Sequence, residues 1–413
     1  MSFISKLIRQ SRSDEIVSLR NPPNWFLELT HGGPTVAGTA VNVHSALSLT
    51  AVYDCVNIIS DTMAMMPLVV NKRLMPKGKE RFPESPIYSI LHDEPNPEQT
   101  SFEWRKLMYT DMLLWGVGIS RIEFNRSTGV PKYLWPLEPW KVNPRRTDKN
   151  SLYYEYTKDG KTEPLQPWEV IVLPALHYTD KWVSPIELFR ETIGAALAVN
   201  EYGAETFGSG INPAGILSGV TISDEDTEQS ISKKFSDCYS GLNSNKKLMI
   251  LSENVKFERI GLPPEDAQFL ETRKFNVSEI ARIYNVPLFF LAEHEKSTSW
   301  GTGIEELKNG FVTFNILPKC TQAEQEFNKK LLKDETLFTE FKTAGLLRGT
   351  LSSRIEAYQK GFQMGLYSPD DMRELENMNP LPGGQGNQYI VPLNMQTLKN
   401  LQNNEGGSNG VSE

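Results

Sequence analysis

The sequence predicts an α+β fold with a small compact tip on two long helices. Three observations lead there. The stretch from Ser48 to Arg73 is patterned as a helix running straight into a strand. A β-rich region extends from Ile119 to Leu173 behind a second helix. Two long apolar-patterned helices, 184–207 and 264–284, bracket an insertion of roughly fifty residues, so that an independent unit sits on a two-helix stalk. A chain of 413 residues is long enough for two or three compact units, or for one elongated subunit with several packed layers.

Along the chain, residues 1–45 are polar and broken by Pro22-Pro23 and Gly32-Gly33-Pro34, the pattern of an arm. Phe3, Ile4, Leu7 and Ile8 beside Lys6, Arg9 and Arg12 leave both a short interfacial helix and a partner-bound arm open. Val52, Val56, Ile59 and Met63 then recur at helical spacing, with Cys55 and Met66 on the same apolar side. Pro67 stops that helix, and Leu68-Val69-Val70 begins a strand that ends at Lys72-Arg73. Met75–Lys79 is turn-rich. After the extended link held by Pro95 and Pro97, Thr100 or Ser101 caps a helix that ends at Gly116 and Gly118. Strands are expected at Ile119–Phe124, Lys132–Trp135 and Leu152–Thr157, with Asp159-Gly160 turning the chain into Glu169–Leu173. Pro185 opens the first long helix in its first turn. Within the insertion, Ile216-Leu217, a helix capped at Ser223, Lys247–Leu251 and Val255–Ile260 form the small unit. The second long helix runs through Phe269, Phe275 and Ile280 to Tyr284. A third follows from Ile304 to Leu331, and Pro318 inside it predicts a kink. Residues 334–366 are mixed, Tyr389–Leu393 has an ordered pattern, and a Gly/Ser/Asn-rich tail ends the sequence.

Composition removes several classes of function. Hydrophobic residues at 39% and charged residues at 23% describe a folded chain. No run of about 18 apolar residues could cross a membrane, and the start, MSFISKLIRQSR, is too polar for a secretory signal. Cys55, Cys238 and Cys320 are far apart and odd in number, as expected of core thiols in a reducing cytoplasm. There is no phosphate-binding G-x-x-x-x-G-K-[ST] loop, and Gly208-Ser209-Gly210 and Gly301-Thr302-Gly303 lack dinucleotide spacing. Gly406–Gly410 matches G-x-S-x-G by chance, in a tail with no strand before it or helix after it. The five histidines form no H-x-x-x-H pair, and Asp224, Asp226 and Glu228 fit a helix cap better than a calcium loop. No catalytic residue, metal ligand or cofactor is expected. The net charge of −8 argues against a basic clamp on nucleic acid but not against a protein that must let DNA slide past.

Several long segments resemble, in order, the portal protein family of tailed bacteriophages in its short form. They are HDEPNPEQTSFEWRKLMYTDMLLWG (92–116), SPIELFRETIGAALAVNEYGAETFGSGINPAGIL (184–217), PEDAQFLETRKFNVSEIARIYNVPLFFL (264–291) and GIEELKNGFVTFNILPKCTQAEQEFNKKLL (303–332). The opening helix and SPDDMRELENMNPLPGGQGNQYIVPLN (368–394) are similar as well, so the resemblance spans 48–394.

The resemblance implies a ring of about a dozen subunits at one capsid vertex, through which double-stranded DNA enters and leaves. It also implies partners: terminase, the head–tail connector, and the major capsid and scaffold proteins. By position, 1–47 would be an arm, 48–183 and 303–366 the wing, 184–209 and 263–284 the stem helices, and 210–262 the clip. Residues 285–302 would hold the tunnel loop, 367–394 a short crown and 395–413 a flexible tail. The expected tunnel-loop residues are Glu293, His294, Glu295, Lys296, Ser297, Thr298 and Trp300. Arg273, Lys274 and Arg282 are the stem candidates for facing the channel, and Lys233, Lys234, Lys246 and Lys247 the clip candidates for binding a partner. Two alternatives from other classes are a virion scaffold or adaptor without a channel, and a metal-dependent hydrolase built from scattered acidic residues.

Overall fold

The computed structural model describes residues 35–178, 181–209, 216–218, 256–258, 265–292, 302–346, 351–376 and 378–389. The chain divides into two units, Met1–Thr343 and Ala344–Glu413.

In the first unit, helix α1 (Val43–Leu47) leads to α2 (Thr50–Met65), which buries Val52, Cys55, Val56, Ile59 and Met63 as the spacing predicts. Strand β1 (Leu68–Arg73) follows directly and pairs antiparallel with β2 (Lys79–Arg81). Helix α3 (Pro86–His92) precedes α4 (Ser101–Trp115), where Thr100 and Glu103 form a capping box. Helix α4 ends at Gly116, whose φ of 87° suits only glycine comfortably. Two residues on, a Cβ at Gly118 would lie 2.1 Å from the Met108 carbonyl oxygen, so the turn back along α4 needs glycine there too. The buried Arg105 of α4 donates to the Met66 carbonyl at the end of α2 and, at 3.1 Å, to Ser101 O. Burial lowers its guanidinium to about 10, and the helix end supplies the acceptor and a favourable dipole.

Besides the three-stranded antiparallel sheet in which β1 lies between β2 and a later strand, Leu337–Phe341, the next strands form two more. Strand β3 (Val117–Phe124) lies between β4 (Pro131–Leu137) and β8 (Val170–Pro174). In the other, β6 (Leu152–Lys158) lies between β5 (Val142–Arg146) and β7 (Lys161–Leu165). Val117, Ile119, Leu137, Val142, Tyr154, Tyr156, Leu165 and Val170 form their shared core. The Asp159-Gly160 turn is present, with φ of 51° and 73°, but it leads into β7 rather than into Glu169–Leu173. Strands β5 and β7 escape the sequence pattern because each is largely exposed and carries a proline, Pro144 and Pro164. A two-residue hairpin, β9 (His177–Tyr178) with β10 (Lys181–Trp182), then leads to the stalk.

The first stalk helix is broken. A single turn, α5 (Pro185–Leu188), is capped by Ser184 and separated at Phe189 from α6 (Arg190–Ser209). The expected continuous helix is thus corrected: Phe189 has φ −105° and ψ 26°, outside helical values. Of the insertion, β11 (Ile216–Ser218) and β12 (Lys256–Glu258) are described and pair antiparallel; the predicted helix capped at Ser223 and strand Lys247–Leu251 lie outside the described residues. Helix α7 (Glu265–Tyr284) ends where the sequence places it.

The third long helix is continuous but not uniform. Helix α8 (Thr302–Phe311) passes through a π-helical turn, Val312–Ile316, into α9 (Leu317–Leu331). The widened turn lies just before Pro318, which has no N–H to give and crowds the carbonyl four residues back. Strand β13 (Leu337–Phe341), absent from the sequence reading, pairs with β1.

Helix α9 covers two sheet edges. On one side, Gln322 Nε2 donates to Pro174 O at 2.9 Å, Val172 N donates to Glu326 Oε1 at 3.0 Å, and Lys330 Nζ donates to Val170 O at 3.1 Å. On the other, Phe341 N donates to Glu324 Oε1 and Thr339 N to Asn328 Oδ1, both at 2.7 Å. Cys320, Ala323, Phe327 and Leu331 are buried along the same helix. Cys55 and Cys320 are free buried thiols, both pushed up to about 12 by burial.

In the second unit, α10 (Leu351–Gln363) and α11 (Pro369–Leu375) are tied by Arg354. Its Nε and Nη2 donate to the two carboxylate oxygens of Glu376 at 2.8 and 3.0 Å, and Tyr358 Oη donates to Glu376 Oε1 at 2.7 Å. Of the expected ordered segment Tyr389–Leu393, Tyr389 is described and lies outside any strand.

Asn328→Ala strips Thr339 of its side-chain acceptor and should cost about 1–3 kcal/mol in denaturant unfolding. Burial first, then the charge of Glu138, raises the Asp111 carboxyl from an ordinary 3.8 to about 7. The folded chain thus holds a proton there that the unfolded chain has released, so Asp111's contribution to stability falls as pH rises from about 4 to about 7. Asp111→Asn should flatten that decline in melting temperature against pH.

Candidate functional site

The channel-loop candidates Glu293–Trp300 and the clip candidates Lys233, Lys234, Lys246 and Lys247 lie outside the described residues. The stem candidates sit on α7, where Arg273, Lys274 and Arg282 are all exposed. Arg282 Nη1 pairs with Glu279 three residues back, which offsets part of its charge. At about 100° per residue, Arg273 and Arg282 project from nearly opposite sides of the helix, so a single side cannot present all three cations.

The two stalk helices approach closely at one point. A Cβ at Gly203 of α6 would lie 2.8 Å from the ring tip of Phe269 on α7, and the Tyr202 and Phe269 rings are 6.1 Å apart. Around that contact Tyr202, Leu270 and Phe275 remain exposed.

The end of α7 is the most highly constrained part of the site. Val286 N donates to Ala281 O at 2.9 Å across Asn285, whose φ is 52°, the usual left-handed helix stop. Pro287 and a single 3-10 turn, Leu288–Leu291, carry the chain to Ala292, also left-handed at φ 58°. Phe290 packs on Phe311, the last residue before the π turn, with ring centroids 5.2 Å apart.

Inside the π turn, Asn315 is buried, and its Nδ2 donates to Tyr284 O at 2.9 Å and to Asn285 O at 2.8 Å. Lys319 Nζ donates to Asn315 O at 3.1 Å and to its Oδ1. Both N–H bonds of the Asn315 amide and its oxygen are therefore paired, and burial lowers the Lys319 ammonium to about 8. Sequence reasoning passed over Asn315. Its signal is a lone amide in an apolar helical run, FVTFNILPKC, three residues before the internal proline.

Among the described residues no group of three or more His, Cys, Asp or Glu could hold a metal ion, and no helix is long and apolar enough to cross a membrane. The arrangement offers surfaces and a constrained loop root, as a structural component of an assembly would.

Comparison with known proteins agrees. The fold is shared with a HK97 family phage portal protein from Corynebacterium diphtheriae (TM-score 0.52, 20% identity, 77% of this chain and 98% of that one). It is also shared with a chain in the virion of a native gene transfer agent particle (TM-score 0.59, 17% identity, 86% and 99%). A chain in the neck of such a particle, computed with C12 symmetry, gives a TM-score of 0.56 at 16% identity over 86% and 99%. The fold class is that of a portal subunit.

In sequence, residues 50–377 match the family model described as phage portal protein. The chain is 30% identical over 382 residues to a probable portal protein of Streptomyces phage phiC31, covering 88% of this chain and 82% of that one. It is 29% identical over 376 residues to the portal protein of Enterobacteria phage HK97, covering 89% and 88%. The chain belongs to the phage portal protein family.

Proposed function

We propose that this chain closes into a ring of about twelve copies at one capsid vertex and serves as the conduit for double-stranded DNA during packaging and ejection. The family is a structural one of virion components, and the particle neck that shares the fold was computed with twelvefold symmetry. The observation that carries the reading is the apolar surface left open on the stalk and long helices. Leu270 is 57% exposed, Phe275 58% and Phe314 74%, and rows of large exposed side chains call for a covering neighbour. In this reading 48–183 and 303–366 form the wing, 184–209 and 263–284 the stem, 210–262 the clip, 285–302 the tunnel-loop region and 367–394 the crown.

The clip, with Lys233, Lys234, Lys246 and Lys247, would dock terminase and later the head–tail connector, while the wing would meet capsid and scaffold proteins after assembly in the host cytoplasm. Motive energy would come from the terminase, since the sequence has no phosphate-binding loop. About twelve copies at −8 give a particle near −100, which repels phosphate and keeps passing DNA from sticking. Limited positive charge at Arg273, Lys274 and Arg282 and contacts from Lys296 and Trp300 would then be the points of touch. The double variant Lys296→Ala with Trp300→Ala should form rings yet package or retain about tenfold less DNA, read as nuclease-protected genome per particle. Wild-type packaging and retention would remove the loop from the account.

A further inference from the structure

The amide of Asn315 joins two helices that the sequence separates by a loop, and nothing in the family assignment gives it a role. We propose that Asn315 is a positioning residue that locks the end of stem helix α7 to the π turn of the long helix, so that both roots of the intervening loop are held as one body. The proposal rests on the conduit reading for its consequence but not for its geometry.

Three observations support it. First, Asn315 is 2% exposed in the middle of an otherwise apolar helical run, and both of its N–H bonds go to carbonyls of another element, Tyr284 and Asn285. A buried amide is costly unless it is paired, and here both donors are spent on the junction. Second, the amide sits in the π turn. An ordinary α-helical path through 312–316 would rotate residue 315 and carry its side chain away from its present direction. The widened turn required next to Pro318 thereby also aims Asn315 at the end of α7. Third, Lys319 donates to the Asn315 side-chain oxygen, which fixes which end of the amide faces the two carbonyls. The Phe290–Phe311 contact lies, along the chain, between this lock and the loop, and it braces the turn after α7 against the far end of α8.

The consequence is mechanical. A displacement of α7 reaches the long helix directly through the Asn315 bridge, so the two helix ends move together. Asn315 touches neither DNA nor a partner in this account; it acts by holding other groups in place.

The test uses assembled rings of full-length chain and limited trypsin digestion, following cleavage after Lys296. Asn315→Asp is the decisive variant, because it keeps size and the acceptor for Lys319 but turns an oxygen toward both carbonyls. Asn315→Asp and Asn315→Ala should each speed cleavage at Lys296 by about fivefold or more, with Asp at least as damaging as Ala. The control is Asn328→Ala, which removes a half-buried acceptor elsewhere on the same long helix and should leave that cleavage rate unchanged. If Asn315→Asp cuts at the wild-type rate, or if Asn328→Ala accelerates cleavage equally, the lock is overturned and Asn315 is only part of general stability. Should either Asn315 variant fail to form rings, hydrogen exchange on the soluble subunit decides. Faster exchange confined to 281–292 and 312–319 supports the lock, and uniform change across the chain overturns it. Packaging by the same rings is scored separately: loss of DNA transport in wild-type rings would refute the conduit, whereas cleavage rates refute or sustain the lock.

Discussion

Helix α9 holds the main unit together by binding two strands through its side chains. A sheet edge leaves every second backbone N–H and C=O unpaired, and burying such an edge under a helix normally strands them. Here the spacing of the two structures nearly matches. Four residues of helix advance about 6.0 Å and two residues of strand about 6.6 Å, so Gln322, Glu326 and Lys330 meet Pro174, Val172 and Val170 in turn. Glu324 and Asn328 do the same for Phe341 and Thr339 on β13. The apolar residues between them, Ala323 and Phe327, fill the space beneath. The helix therefore serves as an additional strand on both sheets while burying its own apolar side.

Edges that α9 does not cover are blunted by other means. Pro131 and Pro136 interrupt β4, Pro144 interrupts β5 and Pro164 interrupts β7. Strand β2 carries Lys79 and Arg81 on an exposed edge. A chain proposed to assemble in many copies is most at risk from strand addition, and these residues close that route. What stays open is apolar side-chain surface on helices α6, α7 and the π turn, a type of contact that can be limited to one neighbour geometry.

What the sequence revealed, and what it hid, follows from the reach of each interaction. Helix α2 into β1, the Thr100 cap, the Gly116 stop, the end of α7 at Tyr284 and the disturbance at Pro318 are all set by neighbours a few residues away. Strand β13 is held by β1, far back in the chain, and β5 and β7 expose most of their residues, so none of the three shows alternation. The stalk helix was legible but its break at Phe189 was not, since no proline or glycine marks it. Of the candidate site, Arg273, Lys274 and Arg282 all lie on α7, yet their phase around the helix separates Arg273 from Arg282. Asn315 was hidden because its meaning lies in two carbonyls of another element, which no local pattern displays.

The central claim is that these helical surfaces close a ring around a passage. The most direct test is electron microscopy of the purified chain in negative stain, with native mass on the same sample. The account predicts closed annular particles with a stain-filled centre and about twelve subunits each. Open filaments, particles without a central hole, or a monomer that persists at high concentration would contradict it.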